Sequence, residues 1–548
     1  MPEETNYKEK FPAAFPKLTE DQMKAIGDIA QCKTYHNGEY LIKSGETEFQ
    51  FHVIRKGEVE IIDRTDDKPK TILVHEAMEF TGDIANFTGR ASNVDAAARG
   101  DVEVYQICSE DLKNIISTRP ELSDIILNAF IARSDALKES GFTGLRVIGS
   151  QFSTDTFRIR DFLSKNCIIY TYIDSDNDQI VNGLLHKFNV NLKQMPIVVN
   201  GDKWILRNPA NVDLAEKTGL KQQFEEVLYD LAIVGAGPAG LAAAVYAASE
   251  GLKTVVLEAI APGGQAGTSS MIENYLGFPT GISGSELASR ATIQAEKFGA
   301  ILNIPTKVKK LSFNNNHKII EIESGEKISS KALLICTGAT YRKLNVKNLE
   351  KFEGRGVYYA ATHTEATMCG TEAAVVVGGG NSAGQAAVFI SSNVKKVFIL
   401  IRGSKLSDTM SRYLSQRIEE IANIELIIDS EITELMGEER IEQIHIENNK
   451  TKEKRILDAN AVFSFIGAVP NTDWLPVEID KDKSGFINTG STLNKGEGLN
   501  RRPYLLETSM PGVFAAGDVR SKSSKRVSSA VGEGSITVQF VHEYLKEL

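Results

Sequence analysis

The chain has no Cys-x-x-Cys anywhere in its 548 residues. Its five cysteines (Cys32, Cys108, Cys167, Cys336 and Cys369) are scattered and odd in number, so neither a disulfide framework nor a metal-ligand spacing can be built from them. Long apolar runs are missing too. The most apolar stretches reach about ten residues, well short of a membrane span. Cationic excess is also absent: 62 Lys and Arg face 72 Asp and Glu, and the net charge of -10 argues against nucleic acid or an anionic membrane as the main partner. Met1 to Pro16 contains Lys8 and Lys10 but no apolar run, so no signal peptide is expected. These absences lead us to expect a reduced, cytoplasmic protein. The composition that remains, 42% apolar and 24% charged, is ordinary for a globular chain, and the length predicts three or four domains rather than one core.

The positive signal is a pair of glycine fingerprints about 140 residues apart. Gly235-Ala236-Gly237-Pro238-Ala239-Gly240 follows the apolar strand Leu231–Val234 and opens a small-residue helix, Leu241–Glu250. Gly235 permits the tight turn, Gly237 lets backbone N–H groups approach a pyrophosphate, and Gly240 lets helix and strand pack closely. The next strand, Thr254–Leu257, ends in Glu258, placed to accept from a ribose 2′-hydroxyl. Gly378-Gly379-Gly380-Asn381-Ser382-Ala383 likewise follows a strand, Ala374–Val377, and opens a helix from Ser382. Its second strand, Val397–Ile401, ends in Arg402-Gly403-Ser404-Lys405 instead of an acid. Arg and Lys pair with a 2′-phosphate that a carboxylate would repel, so NADP(H) is expected over NAD(H).

Residues 228–548 resemble the low-molecular-weight thioredoxin reductase family. Gly263-Gly264-Gln265 and Ile272-Glu273-Asn274-Tyr275-Leu276-Gly277-Phe278-Pro279 match its flavin-contacting segments. Cys336-Thr337-Gly338-Ala339 is a variant of its strand-end Ala-Thr-Gly. Pro511–Val519 matches its Gly-Asp motif, which implies that Asp518 contacts the ribityl chain, and Arg526–Ala530, with Val527, resembles the stretch beside the flavin pyrimidine edge. The resemblance implies FAD and NADPH as cofactors and a homodimer as the assembly. It also exposes a departure. Gly356–Thr364 occupies the family's Gly-Val-x-Tyr-Cys-Ala-Thr-Cys-Asp segment, with Ala360 and His363 where the redox cysteines stand and Thr364 in place of the acid. Disulfide exchange needs a second thiol to resolve the mixed disulfide, and this chain has none at that place. Cys369 lies six residues past His363 and reads as a small hydrophobe. His363 is either a proton donor near the flavin or a polar residue at a helix start.

From Leu145 to about Leu220 the expected order is strand (Leu145–Ile148), helix (Thr154–Lys165), strand (Cys167–Ile173), helix (Ile180–Phe188), strand (Ile197–Val199) and helix (Val212–Thr218). The module resembles a thioredoxin/glutaredoxin-type fold, with Met195-Pro196 as its X-Pro turn and Val147–Ser153, which has no cysteine, in the place of the usual dithiol. The N-terminal region resembles a cyclic-nucleotide-binding domain through Asn37–Ile42, Ser44-Gly45-Glu46 and Val53–Glu60. Its ligand cassette runs from Gly82-Asp83 to Arg90-Ala91-Ser92, with Asp83 shorter than the usual Glu and a shortened interval to Arg90. Asp83, Arg90 and Ser92 then either hold a cyclic nucleotide or belong to a fold kept with an altered pocket.

The expected architecture is multidomain α/β: a cyclic-nucleotide-binding-type β-roll (1–140), a small thioredoxin-like domain (141–222), and two Rossmann-like three-layer domains, for FAD (223–343 and 464–548) and NADPH (344–463). The expected function is a flavoprotein oxidoreductase that takes hydride from NADPH and reduces an unidentified acceptor directly, either a small protein carrier or a small molecule. Thiol reduction with thiols supplied in trans, and a redox or nucleotide sensor with little turnover, are the alternatives.

Overall fold

The computed structural model describes residues 8–47, 49–63, 69–88, 90–92, 94–139, 145–176, 181, 183, 188, 190–201, 203–221, 224, 227–269, 271–353, 355–359, 361, 372–493 and 501–548. Ala360, His363 and Cys369 lie outside them, as does most of the helix expected at Ile180–Phe188. Among the described residues no helix is long and apolar enough to cross a membrane.

The N-terminal region begins with helix α1 (Glu20–Gly27), closed by a capping box between Thr19 and Gln22. Strands β1 (Gln31–Tyr35), β2 (Tyr40–Ile42), β3 (Phe51–Asp63), β4 (Lys70–His75) and β5 (Asp95–Ile107) then form an antiparallel roll in the order β1-β5-β3-β4, with β2 on β5. Gly57 sits at a register shift inside β3, where φ is +89° and a Cβ would meet the Asp101 carbonyl oxygen at 2.5 Å. Helices α2 (Ser109–Thr118) and α3 (Pro120–Glu139) follow, and Arg133 of α3 donates to the carbonyls of Ala14, Phe80 and Gly82.

The middle unit is a four-stranded sheet in the order β7-β6-β8-β9, from β6 (Leu145–Gly149), β7 (Tyr170–Asp174), β8 (Ile197–Asn200) and β9 (Trp204–Arg207). β6 and β7 are parallel and the other pairs antiparallel. Helices α4 (Thr154–Lys165) and α5 (Asn211–Thr218) pack on it, and Met195-Pro196 is cis. Two expectations need correction. β7 starts at Tyr170 rather than Cys167, because Cys167 sits in the preceding turn with φ +57°. β9 was not anticipated.

The third unit alternates strand and helix: β10 (Leu228–Val234), α6 (Pro238–Ser249), β11 (Thr254–Leu257), α7 (Gly284–Lys297), β12 (Ile301–Asn303), and the antiparallel extension β13 (Val308–Asn314), β14 (His317–Ile322) and β15 (Lys327–Ile335). Within it the next unit is inserted, a fully parallel sheet in the order β16-β20-β17-β18-β19, from β16 (Val357–Tyr358), β17 (Ala373–Val377), β18 (Lys396–Leu400), β19 (Ile424–Ile427) and β20 (Ala461–Ser464). Helix α8 (Asn381–Ser391) follows β17. β21 (Val513–Ala515) then returns to pair with β15, and α9 (Val527–Lys546) packs against α6. The two Rossmann units are joined by one short antiparallel ribbon, Ala339–Tyr341 against Ala468–Pro470.

Candidate functional site

The first fingerprint builds an anion cradle from glycine geometry. Gly235 has φ +102°, and a Cβ there would lie 2.3 Å from the Cys336 carbonyl oxygen; one on Gly240 would lie 1.9 Å from that of Gly235. Gly237, by contrast, would meet nothing within 4 Å. It is the N-cap of α6, and no side chain caps that end, so the helix N–H groups and dipole face open space. Gly264 brings its backbone close, with a Cβ position 3.1 Å from Gly237 Cα. Asp518 lies at the start of the loop before α9, where burial raises its carboxyl above the usual range, and the uncapped α9 N-terminus begins at Val527. Gln265 donates to the Ala339 carbonyl, and Asn274 is exposed.

Glu258 sits at the end of β11, but its carboxylate is already engaged. It accepts from the N–H groups of Ala236 (2.7 Å), Ile260 (2.8 Å) and Ala261 (3.3 Å). Burial raises its carboxyl despite these donors. The backbone of the surrounding turns thus occupies much of its accepting capacity.

The second fingerprint repeats the pattern. Gly378 has φ +137° with a Cβ position 2.5 Å from the Phe465 carbonyl oxygen, while Gly380, the uncapped N-cap of α8, is open. Ser382 lies in its exposed first turn. Arg402 and Lys405 are exposed and form no ion pair among the described residues. Ser404 is less free, because its hydroxyl donates to Asp429 (2.9 Å) and accepts from Lys450 (2.9 Å), while Lys450 also pairs with Asp429 (2.9 Å). That pairing holds the Asp429 carboxyl below the usual range. Sequence reading missed both residues, since they come from a later turn and hairpin.

Beyond β16, Ala361 forms a parallel bridge with Ser269, two residues after α-helical Gly267 of the first cradle. Arg417 of the inserted unit also pairs with Glu273 at 3.0 Å.

In the N-terminal cassette, Asp83 caps its own turn, accepting from Ala85 N–H at 2.8 Å, and Ser92 donates to Val94 O. Both line two adjoining cavities. One is the apolar interior of the roll, with Phe15, Ile42, Phe49, Leu73, His75 and Arg133. The other is a cleft at the junction of roll, middle unit and α7, and Arg90 lines this one only. Arg90 donates to Asn166 O (3.5 Å), and the Ala91 N–H to Thr218 O (3.5 Å). Across the cleft lies Glu296 of α7, whose buried carboxyl is pushed up to about 7 by desolvation, against the pull of Arg90 and Lys113.

Residues 229–534 match the pyridine nucleotide-disulphide oxidoreductase family. The chain belongs to that family. Residues 32–119 separately match the cyclic nucleotide-binding domain. A 34.2 kDa protein in the rubredoxin operon of Clostridium pasteurianum is 37% identical over 321 residues, covering 59% of this chain and 98% of that protein. The thioredoxin reductase of Bacillus subtilis is 34% identical over 334 residues, covering 59% of this chain and 97% of the relative. Among solved structures, the Lactococcus lactis thioredoxin reductase in its FR conformation superposes with a TM-score of 0.53 at 31% identity, over 58% of this chain and all of that one. The T. acidophilum thioredoxin reductase gives 0.52 at 30% identity, over 57% of this chain and 98% of that one.

As a pyridine nucleotide-disulphide oxidoreductase, the chain has a thioredoxin reductase-like pair of Rossmann units, and the family's flavin and nicotinamide nucleotides suit the two cradles: each offers an uncapped helix N-terminus behind an open glycine.

Proposed function

We propose that this oxidoreductase binds FAD at the first cradle and NADPH at the second, and that its electrons leave for an acceptor without passing through a dithiol of its own. One observation carries the reading: the sequence has no Cys-x-x-Cys, and Ala361, between the positions Ala360 and His363 that the resemblance aligns with the redox cysteines, is bridged to Ser269 beside the cradle. When bound, a flavin holds the two electrons of one hydride and releases them singly or as a pair. The chain's own residues orient and neutralise. Gly235, Gly237, Gly240 and Gly264 let backbone N–H groups reach a pyrophosphate, Glu258 would face a ribose from the end of β11, and Asp518 and Val527 would meet the ribityl chain and the pyrimidine edge of the flavin. Gly378, Gly380 and Ser382 form the corresponding anion seat, while Arg402 and Lys405, with Lys450 behind Ser404, supply positive charge for a 2′-phosphate. His363 is assigned proton supply to the acceptor.

The test is anaerobic stopped-flow bleaching of the flavin by NADPH and by NADH, followed by steady-state turnover against ferredoxin-, flavodoxin- and rubredoxin-type carriers, quinones and oxygen. Rubredoxin-type carriers are included because of the operon named for the Clostridium relative. Fast bleaching and turnover with any of these acceptors supports the reading. Bleaching with turnover only when a dithiol protein is added supports thiols in trans, the reading favoured by the relatives named as thioredoxin reductases. Bleaching without turnover on any acceptor makes the chain a sensor. A homodimer in the cytoplasm completes the proposal, and light scattering behind gel filtration measures the first part.

A further inference from the structure

The cleft at the three-unit junction collects polar groups that lack partners. Glu296 Oε2 and Thr292 Oγ1 of α7 and Asn166 Oδ1 after α4 have no hydrogen-bond partner among the described residues, although these residues are only 7%, 4% and 2% exposed. All three line the same cleft as Arg90 and Lys217. Buried polar atoms are nearly always satisfied, so three orphans converging on one space point to a polar occupant. The chemistry of the walls is divided. Arg90, from the roll, and Lys217, from α5, are cations suited to a phosphate. Glu296, Thr292 and Asn166 present acceptor oxygens suited to hydroxyl donors. Trp204 lines the same cleft and offers an aromatic face.

We propose that this junction is a composite site for a ribose phosphate ligand, a ribonucleoside monophosphate, with Arg90 and Lys217 on the phosphate and Glu296 and Thr292 on the ribose hydroxyls. The site belongs to three units at once, so it cannot form in the roll alone. It also adjoins the first cradle. Pro262 lines the cleft immediately before Gly263-Gly264, Asn166 Nδ2 donates to Ile260 O at 3.0 Å, and Ala288 of α7 lies 2.5 Å from where a Gly263 Cβ would be. A ligand that orders α7 therefore acts on the loop that completes the flavin cradle, and the coupling is reciprocal.

Isothermal titration of the full-length protein, as purified with its flavin, with 5′-AMP, 3′,5′-cyclic AMP and 3′,5′-cyclic GMP tests the site and separates linear from cyclic sources. The expected result is saturable binding of at least one of these. Arg90→Ala should weaken it about tenfold or more, and Glu296→Gln should weaken it about tenfold. The 2′-deoxy form of the best ligand should bind wild type as weakly as the ribo form binds Glu296→Gln, with no further loss in that variant. Far-UV circular dichroism and flavin absorbance establish that each variant is folded, and Thr292→Val provides a second, nearly isosteric probe of the same wall. Binding that ignores Glu296→Gln and Thr292→Val would place the ligand inside the roll and overturn the composite site. Absence of binding by all three nucleotides at millimolar concentration would also overturn it.

Discussion

Single residues already separate structural from ligand-facing glycine. Gly240→Ala drives a Cβ into the Gly235 carbonyl, so it should cost about 1–3 kcal/mol of stability as overpacking does. Gly237→Ala meets no protein atom and should fold normally, yet its methyl occupies the space over the α6 N-terminus. Urea unfolding with flavin absorbance distinguishes the two. We expect Gly240→Ala to lose midpoint, and Gly237→Ala to keep it in the apoprotein while losing flavin. Titration gives a second test at this scale. Burial, with Lys33 nearby, lowers His52 to about 3; burial also lowers His75 to about 4, against the pull of its Glu79 partner. Glu79 is brought down to about 2, where bonds from His75 and Lys8 outweigh its desolvation. All three pKa values fall on folding, so the unfolded state binds the extra protons and stability drops with pH. The loss runs from about pH 6.5 down through 3 for the histidines, and from about 4.5 to 2 for Glu79, at up to about 1.4 kcal/mol per pH unit for each proton. The urea midpoint of the roll should therefore fall between pH 7 and pH 4.5, less steeply in His52→Gln; equal slopes in both proteins would remove His52 from the account.

Elements explain what the sequence made legible and what it hid. The two fingerprints announced themselves because each needs strand, glycine turn and small-residue helix in consecutive order, and β10–α6–β11 and β17–α8–β18 appear within a few residues of expectation. Local spacing also disclosed the roll's glycines and the middle unit's first strand and helix. What stayed hidden comes from residues that meet across units. Glu296 and Thr292 belong to no motif in the sequence, and only the approach of α4 and the roll makes them a wall. Asp429 and Lys450 were missed similarly: nothing near Ser404 in sequence indicates that a turn beyond β19 and a hairpin lysine close on it. This arrangement bears on cofactor choice. Arg402 lacks an ionic partner among the described residues, whereas Lys450 is tied to Asp429. Arg402→Glu should therefore cost most of any preference for NADPH, about tenfold to a hundredfold in bleaching efficiency, while Lys450→Ala costs less. If NADPH and NADH bleach wild type equally well, the basic turn has no part in selection.

At the scale of the whole molecule, the two Rossmann units are held by little. They are connected through the ribbon Ala339–Tyr341 and Ala468–Pro470, and across their interface lie the Ser269–Ala361 bridge and the Glu273–Arg417 pair. That ion pair is exposed on both sides, so it stabilises the arrangement by no more than about 1 kcal/mol. In this arrangement Ala361, beyond β16, is bridged to Ser269 beside the first cradle, and a nicotinamide carried by the second cradle would have to take that place. Hydride delivery would then need the inserted unit to turn on its ribbon, and the bridge would have to break in each cycle. Bridge partners lie within disulfide reach, so Ser269→Cys combined with Ala361→Cys should cross-link under mild oxidation. We expect the cross-linked protein to keep its flavin, to bleach with NADPH at least tenfold more slowly, and to recover when a reductant opens the bond, with each single variant unaffected. Dithionite, which needs no nicotinamide seat, should reduce the cross-linked and open forms alike. That comparison isolates domain rotation from damage to the cradle, and an unchanged NADPH rate in the locked form would mean that the two nucleotides meet without it.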